Sequence, residues 1–137
     1  MTLPPLPKQN KKREADFSIL FRHWVMANPL SLPDACTFEH KQTTTDSIPF
    51  SALEEHQAIY SNAIRNSKKG VLMRMQGVNG EPDYCYYRTK TAFIVIKYPD
   101  AFHIITVTNF IHEKETSHRK SLTSARAREI SVKSVTL

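Results

Sequence analysis

A chain of 137 residues with 40% hydrophobic residues is long enough to bury one core and argues against a second domain. Its 19 Lys and Arg against 13 Asp and Glu give a formal net charge of +6, which favours an anionic partner such as nucleic acid or an acidic membrane surface. No stretch approaches the ~20 apolar residues of a transmembrane helix, which argues against a membrane-spanning protein.

The amino terminus and the cysteines give information on the cellular compartment and on possible zinc sites and disulfides. Residues 1–10 are rich in proline and polar side chains and lack the apolar core of a signal peptide, so we expect an extended or disordered arm and a cytoplasmic protein. After this arm we expect a single domain over residues 11–137. Cys36 and Cys85 lie in neither a CxxC motif nor a Cys/His cluster, which disfavours a structural zinc site and leaves a disulfide open.

The first predicted element is a helix from Arg13 to Ala27. Its apolar residues recur at the spacing of an amphipathic helix, and Asn28-Pro29 ends it because the residue before a proline is disfavoured in the α region. Glu14 falls on the same stripe, where it is either a first-turn carboxylate favoured by the helix dipole or a ligand aimed at a metal site. The apolar stripe consists of Phe17, Leu20, Phe21, Trp24 and Val25.

A predicted strand over residues 35–43 follows, and then a predicted helix. Alternation along the strand puts Glu39 and Lys41 on one face and His40 on the other, where we expect it to pack. Ser51, with Glu54 three residues later, forms a capping box for a helix that continues to about residue 66. The run Lys68-Lys69-Gly70 suits the end of that helix, since cations and glycine are favoured there.

The second half of the chain is rich in strand patterns. The apolar run 92–96 is typical of a central strand buried on both faces, and a short helix is predicted over 125–130. The order of elements predicts an α/β fold with a mixed β-sheet flanked by helices. The remaining strands are predicted at 71–75, 84–87, 91–98 and 102–107, with short turns at 77–80, 88–90 and 99–100.

The Glu-x-Lys pattern at Glu39 and Lys41 suggests metal-dependent phosphodiester hydrolysis. That reaction needs a Lewis acid on the phosphate oxygens and neutralisation of developing negative charge. Glu39 can supply a hard oxygen ligand to magnesium and the backbone carbonyl of His40 a second one, while Lys41 emerges about 7 Å along the same face. Taken alone the pattern is weak, because alternating charges are common on solvated strands.

The surrounding residues strengthen the pattern. The chain resembles the RecU-like Holliday junction resolvases and their phage relatives, in the PD-(D/E)xK nuclease superfamily, through the run 38–43 (Phe-Glu-His-Lys-Gln-Thr) and the run 48–57 (Ile-Pro-Phe-Ser-Ala-Leu-Glu-Glu-His-Gln). Looser similarity extends over roughly residues 12–130, including 81–84, 93–98 and 119–123. The resemblance implies a restriction-endonuclease-like fold and magnesium as cofactor, with manganese as a substitute.

The resemblance also implies roles for individual residues. Glu39 and Lys41 match the catalytic acid-lysine pair, Gln57 a polar residue lining the site, and Glu14 an acidic metal ligand on the first helix. Asp34 is the candidate for the remaining metal-binding aspartate. The five residues to Glu39 span about 17 Å when extended, so one magnesium can join both only if the chain folds back at Asp34. Asp83 is the alternative, although it also suits a plain turn.

The expected partner is branched DNA, such as a four-way junction, cut by a homodimer that presents two sites. Tyr84, Tyr86 and Tyr87 either stack on bases or belong to the sheet surface. Two alternative functions remain open. The chain is either another nuclease of the superfamily that cuts duplexes or flaps, or a non-catalytic DNA-binding protein in which Glu39 and Lys41 are only exposed charges on a strand. The predicted phosphate-binding residues are Lys11, Lys12, Arg13, Lys68, Lys69, Arg119 and Lys120.

Overall fold

The computed structural model describes the backbone of residues 6–33, 36–53, 67–88 and 91–137, and side chains from residue 16 onward in those ranges except 53, 76 and 78. In chain order the elements are α1 (Leu6–Ala27), β1 (Cys36–Gln42), β2 (Ser47–Pro49), a 3-10 helix (Phe50–Leu53), β3 (Val71–Gln76), a second 3-10 helix (Val78–Gly80), β4 (Pro82–Tyr87), β5 (Thr91–Tyr98), β6 (Ala101–Thr106), α2 (Val107–Thr116), β7 (Ser121–Thr123), α3 (Ser124–Ile130) and β8 (Lys133–Thr136).

Helix α1 begins earlier than the sequence predicts. Its first turn contains Pro7, which suits that position because the amide hydrogen that proline lacks has no partner there. The helix therefore begins inside the segment predicted as an arm, and it ends before Asn28, as predicted. Phe17 and Phe21 are buried at 2% and 3% exposure, but Leu20 is 41% exposed, so its place in the predicted buried stripe is wrong.

Within the described ranges, the main sheet has four strands in the order β1-β5-β6-β8. Strand β1 runs parallel to β5, whereas β6 is antiparallel to both β5 and β8, which makes the sheet mixed. The prediction that β5 is a buried central strand is confirmed, with Ile94, Val95 and Ile96 at 1%, 0% and 0% exposure.

Alternation along β5 divides the core between the two faces of the sheet. Phe93 and Val95 pack with α1 through Phe17 and Phe21. Ile94 and its neighbours on the other face pack with residues of α2 and α3 and with the small β2–β7 ladder. The fold is mixed α/β with helices on both faces of a mixed sheet, which confirms the predicted class at that level.

Helix α2 and the strands β2, β7 and β8 are absent from the sequence prediction. Helix α2 begins at an N-cap, Thr106, whose hydroxyl accepts a hydrogen bond from the amide of Asn109. Strand β7 pairs with β2 and places Leu122 opposite Ile48 in the core. Strand β8 closes the far edge of the main sheet against β6.

The helix predicted from residue 51 lies mostly outside the described residues. Ser51 is found in the first 3-10 helix, and residues 54–66 belong to the part of the chain that is not described. Residues 67–69 are helical and Gly70 has φ +77°, a left-handed conformation, so the predicted glycine end of the helix is confirmed.

Candidate functional site

Strand β1 holds Glu39 and Lys41 on the same face of the sheet. The parallel register sets Glu39 beside Ile94 and Lys41 beside Ile96 of β5. The Lys41 Nζ atom lies 3.5 Å from the Glu39 Oε1 atom, and the two side chains are 22% and 34% exposed, respectively. The prediction that these groups share a face is confirmed, and we call them the Glu39–Lys41 pair.

The Glu39–Lys41 pair lies beside apolar side chains of β5 and is partly exposed. Ile94 and Ile96 are almost fully buried, so they give the pair a wall of low polarizability, where electrostatic interactions are stronger than in bulk water. The remaining exposure of both side chains leaves room for an anion or a cation to approach. A carboxylate and an amine in this arrangement can together engage a divalent cation and a phosphate.

His40 points away from the Glu39–Lys41 pair, as predicted. Its ring centroid lies 4.9 Å from that of Phe21 and 5.4 Å from that of Phe17, both on α1. Burial lowers the pKa of His40, and the neighbouring Glu39 carboxylate partly opposes that effect. The ring is therefore part of the packing under α1, and only the backbone carbonyl of His40 stays a candidate for the site.

The other predicted metal ligands are not brought to this pair by the described residues. Asp34 and Gln57 lie outside them, and so does the side chain of Glu14, although its backbone belongs to α1. Helix α1 packs on the Phe38 and His40 face of β1, which is the face opposite to Glu39. Within the described ranges, no group of three or more His, Cys, Asp or Glu side chains could hold a metal ion.

Asp83, the alternative ligand, belongs to the β3–β4 hairpin and not to the main sheet. It is exposed, pairs with Met75 in the hairpin register and lies close to Gly77 at the hairpin turn. Pro82 and Asp83 are the first residues of strand β4, so the plain-turn alternative for the segment 81–83 is wrong for these two residues.

The predicted phosphate-binding cations lie at separate places in the fold. Lys68 and Lys69 are exposed at the helical turn before β3, and Arg119 and Lys120 are exposed just before β7. Lys11, Lys12 and Arg13 belong to α1, and their side chains lie outside the described set.

Two polar features were missed by the sequence analysis. Helices α2 and α3 are joined by Arg126, whose Nε atom donates to both carboxylate oxygens of the buried Glu113 at 3.0 Å, and whose Nη1 atom donates to Glu129 at 2.6 Å. These contacts raise the pKa of Arg126, the hydrogen bonds to Glu113 most of all. The 13-residue separation between Arg126 and Glu113 leaves no local pattern that could have revealed the pair.

The second missed feature is a cleft of about 460 Å³ at the carboxyl ends of the parallel strands β1 and β5. Asp16, Gln42, Thr43 and Lys97 are among the residues that line it. The Gln42 Oε1 atom is buried and accepts no hydrogen bond from the described residues. Ends of parallel strands are common ligand positions, but sequence alone did not place β1 beside β5.

No protein-family model, curated protein or solved structure matches this chain. Among the described residues, none of the helices combines the length and apolar content that a membrane crossing requires.

Proposed function

We propose that this protein is a magnesium-dependent DNA endonuclease with a restriction-endonuclease-like fold that acts on branched DNA, as the Holliday junction resolvases it resembles do. The observation that supports this proposal most is the Glu39–Lys41 pair, with 3.5 Å between its charged groups on one face of a strand. The sequence runs 38–43 and 48–57 support it through their resemblance to those nucleases.

The donor set of this face fits a magnesium ion that keeps much of its own hydration. Magnesium in phosphate-processing sites is commonly bound by only one or two carboxylates together with waters and substrate oxygens, so Glu39 with one further oxygen is sufficient. The proposed further donors are Asp34 and the His40 carbonyl, whereas Glu14 belongs to α1, which packs on the opposite face of β1. When bound, the cation, magnesium or its substitute manganese, would act as a Lewis acid on the phosphate oxygens and lower the pKa of a bound water.

The residues of the chain have separate roles in this proposal. Glu39 holds the cation through its carboxylate. Lys41 places its positive charge beside that carboxylate, where it stabilises the negative charge that develops on the phosphate or orients the attacking water. Gln57 is proposed to line the same site with its amide.

The proposed assembly on DNA is a homodimer acting in the cytoplasm, or in the host cytoplasm if the gene is carried by a phage. Two subunits related by a two-fold axis present two sites, as symmetric cutting of a four-way junction requires. The cations proposed to contact the DNA backbone are Lys11, Lys12, Arg13, Lys68, Lys69, Arg119 and Lys120, because phosphate contacts supply much of the affinity for nucleic acid.

The test is cleavage of an end-labelled four-way junction and of a linear duplex of the same sequence, with Mg²⁺, Mn²⁺ or EDTA. We expect symmetric metal-dependent nicks in the junction, lost in Glu39→Gln and Lys41→Gln. Glu115→Gln and Lys133→Gln remove exposed charges elsewhere and should cleave like the parent.

The other results of this assay identify the rival functions. Equal cleavage of junction and duplex would indicate a nuclease without junction selectivity. A parent that binds DNA but cleaves neither substrate with either metal would indicate a non-catalytic DNA-binding protein, and it would refute the proposed activity.

A further inference from the structure

The β3–β4 hairpin presents a face built from two tyrosines, a leucine and an arginine. In its antiparallel register Leu72 lies opposite Tyr86, and Arg74 lies opposite Tyr84. Paired residues share a face, and residues two apart on one strand also share it. We call Leu72, Arg74, Tyr84 and Tyr86 the tyrosine face.

The tyrosine face is open to solvent. Leu72 is 65% exposed, and Tyr84 and Tyr86 are each 59% exposed. The opposite face of the hairpin is turned towards the rest of the protein, since Cys85 and Tyr87 are half-buried and line an apolar cleft shared with α1 and β1. Large exposed aromatic side chains on one side of a ribbon indicate a surface that contacts a partner.

The ring of Tyr86 is held in place by the chain that precedes the hairpin. Its hydroxyl donates a hydrogen bond of 3.0 Å to the carbonyl oxygen of Lys69. A Cβ atom at Gly70 would collide with the Tyr86 ring, so the glycine allows the ring to lie directly against the backbone. The ring is thereby positioned before any partner binds, which lowers the entropic cost of stacking on it.

The charges that the described residues place at the tyrosine face are positive. Arg74 lies within it, and the exposed Lys69 contacts Tyr86 through its backbone carbonyl, with the exposed Lys68 next to it in the chain. The acidic side chain of the ladder, Asp83, belongs to the opposite face by alternation. An aromatic surface combined with cations matches the chemistry of nucleic acid, which offers flat bases and a phosphate backbone.

We infer that the tyrosine face binds unpaired bases of a DNA strand, with one base on each tyrosine. Tyr84 and Tyr86 are two residues apart on a strand, which separates their Cα atoms by about 7 Å. Stacked nucleotides in a duplex rise by about 3.4 Å, so two rings at this spacing fit neighbouring bases that have been pulled apart. This inference rests on the proposed function only in taking DNA as the partner.

A second copy of the chain fits this face less well. A ribbon of two six-residue strands offers about 20 Å by 10 Å, well below the ~800 Å² per partner of a stable interface. Two copies packed face to face would also bring Arg74 close to the partner's Arg74, which is unfavourable.

The test is fluorescence anisotropy of a labelled thymidine oligonucleotide of about 20 nucleotides, titrated with protein in EDTA so that no strand is cut. Tyr84→Ala and Tyr86→Ala should each weaken binding about tenfold, the amount that corresponds to ~1.4 kcal/mol of stacking. Tyr84→Phe keeps the ring and should bind like the parent. Met75→Ala removes an exposed side chain from the opposite face and should also leave affinity unchanged. Circular dichroism melts would confirm that each variant is folded.

Gly70→Ala provides a second and independent perturbation, because it displaces the Tyr86 ring without removing it. We expect it to weaken oligonucleotide binding as Tyr86→Ala does. Parent-like affinity in the folded Tyr84→Ala and Tyr86→Ala variants would overturn the inference. So would a dimer in sedimentation analysis that dissociates in these variants while oligonucleotide binding persists.

Failure of this inference can be told from failure of the proposed nuclease. The binding assay contains no metal and does not depend on cleavage, so a catalytically inactive protein can still show the tyrosine effect. The converse result is that the parent cleaves junctions with metal while both alanine variants bind the oligonucleotide as the parent does. That result would support the proposed nuclease and contradict only the inference that the tyrosine face binds DNA.

Discussion

Mild acid should destabilise this fold through one buried histidine, His103 on β6. Its Nδ1 atom lies 2.7 Å from the hydroxyl oxygen of Ser134, its Nε2 atom lies 2.9 Å from that of Ser124, and the residue has 0% exposure. Burial lowers its pKa from 6.5 to about 4, with Arg128 adding to the lowering and Asp100 opposing it. The neutral imidazole is therefore the form that the folded state prefers.

The size of the effect follows from the two pKa values. Below pH 6.5 the unfolded chain binds a proton at this histidine while the folded protein does not, so stability falls as the pH falls. At about 1.4 kcal/mol per pKa unit, the full loss is about 3 kcal/mol once the pH is below about 4, and about 2 kcal/mol is already lost at about pH 5. The lowered pKa of His40 acts in the same direction.

Urea unfolding at about pH 7 and about pH 5 measures this loss in the parent and in His103→Gln. Over that interval the parent should lose about 2 kcal/mol more than the variant, whatever the variant's stability at neutral pH. An equal loss in the parent and in His103→Gln would refute the assignment to His103.

Two further predictions concern packing and charge. Phe21→Ala should lower the free energy of unfolding by about 3–5 kcal/mol, because this buried ring contacts β1 and β6. Leu20→Ala should lower it by less than about 1 kcal/mol, because Leu20 is exposed. Equal losses of the two variants in urea unfolding would contradict the exposed position of Leu20. Arg126→Ala should lower the melting temperature by several degrees, since it leaves the carboxylate of Glu113 buried without Arg126. Glu129→Ala should change the melting temperature little, because the Glu129 side chain is 65% exposed. Indistinguishable melts of those two variants would contradict the role of Glu113.

The sequence predicted the parts of the fold whose signal is local. The apolar run of β5 identified a central strand, and the two-residue period of β1 placed Glu39 and Lys41 on one face. The left-handed Gly70 was predicted as the end of a helix because few other residues adopt that conformation without strain.

The missed elements depend on partners far away in the chain. On α2 the buried residues are Val107, Phe110 and Glu113, a helical stripe whose third member is charged. The ion pair with Arg126 on α3 makes that carboxylate acceptable in the interior, so the sequence of α2 alone does not show an amphipathic pattern. Strand β8 is short and becomes a strand through its pairing with β6.

The error at Leu20 has a similar cause. Its spacing from Phe17 is right for a buried stripe, but Leu20 reaches the rim of the cleft at the carboxyl ends of β1 and β5, where it lines open space together with Lys97. The width of a buried stripe depends on how much of the helix the sheet covers, and a single sequence does not contain that information.

The most direct test of the central claim is the Mg²⁺-dependent cleavage of a four-way junction by the parent protein and by Glu39→Gln. This change keeps the size of the side chain and removes the negative charge that the proposed site needs for its cation. We expect symmetric nicks with the parent, and with Glu39→Gln a loss of at least about 100-fold in cleavage while junction binding persists. Parent-like cleavage by Glu39→Gln would contradict the proposed site.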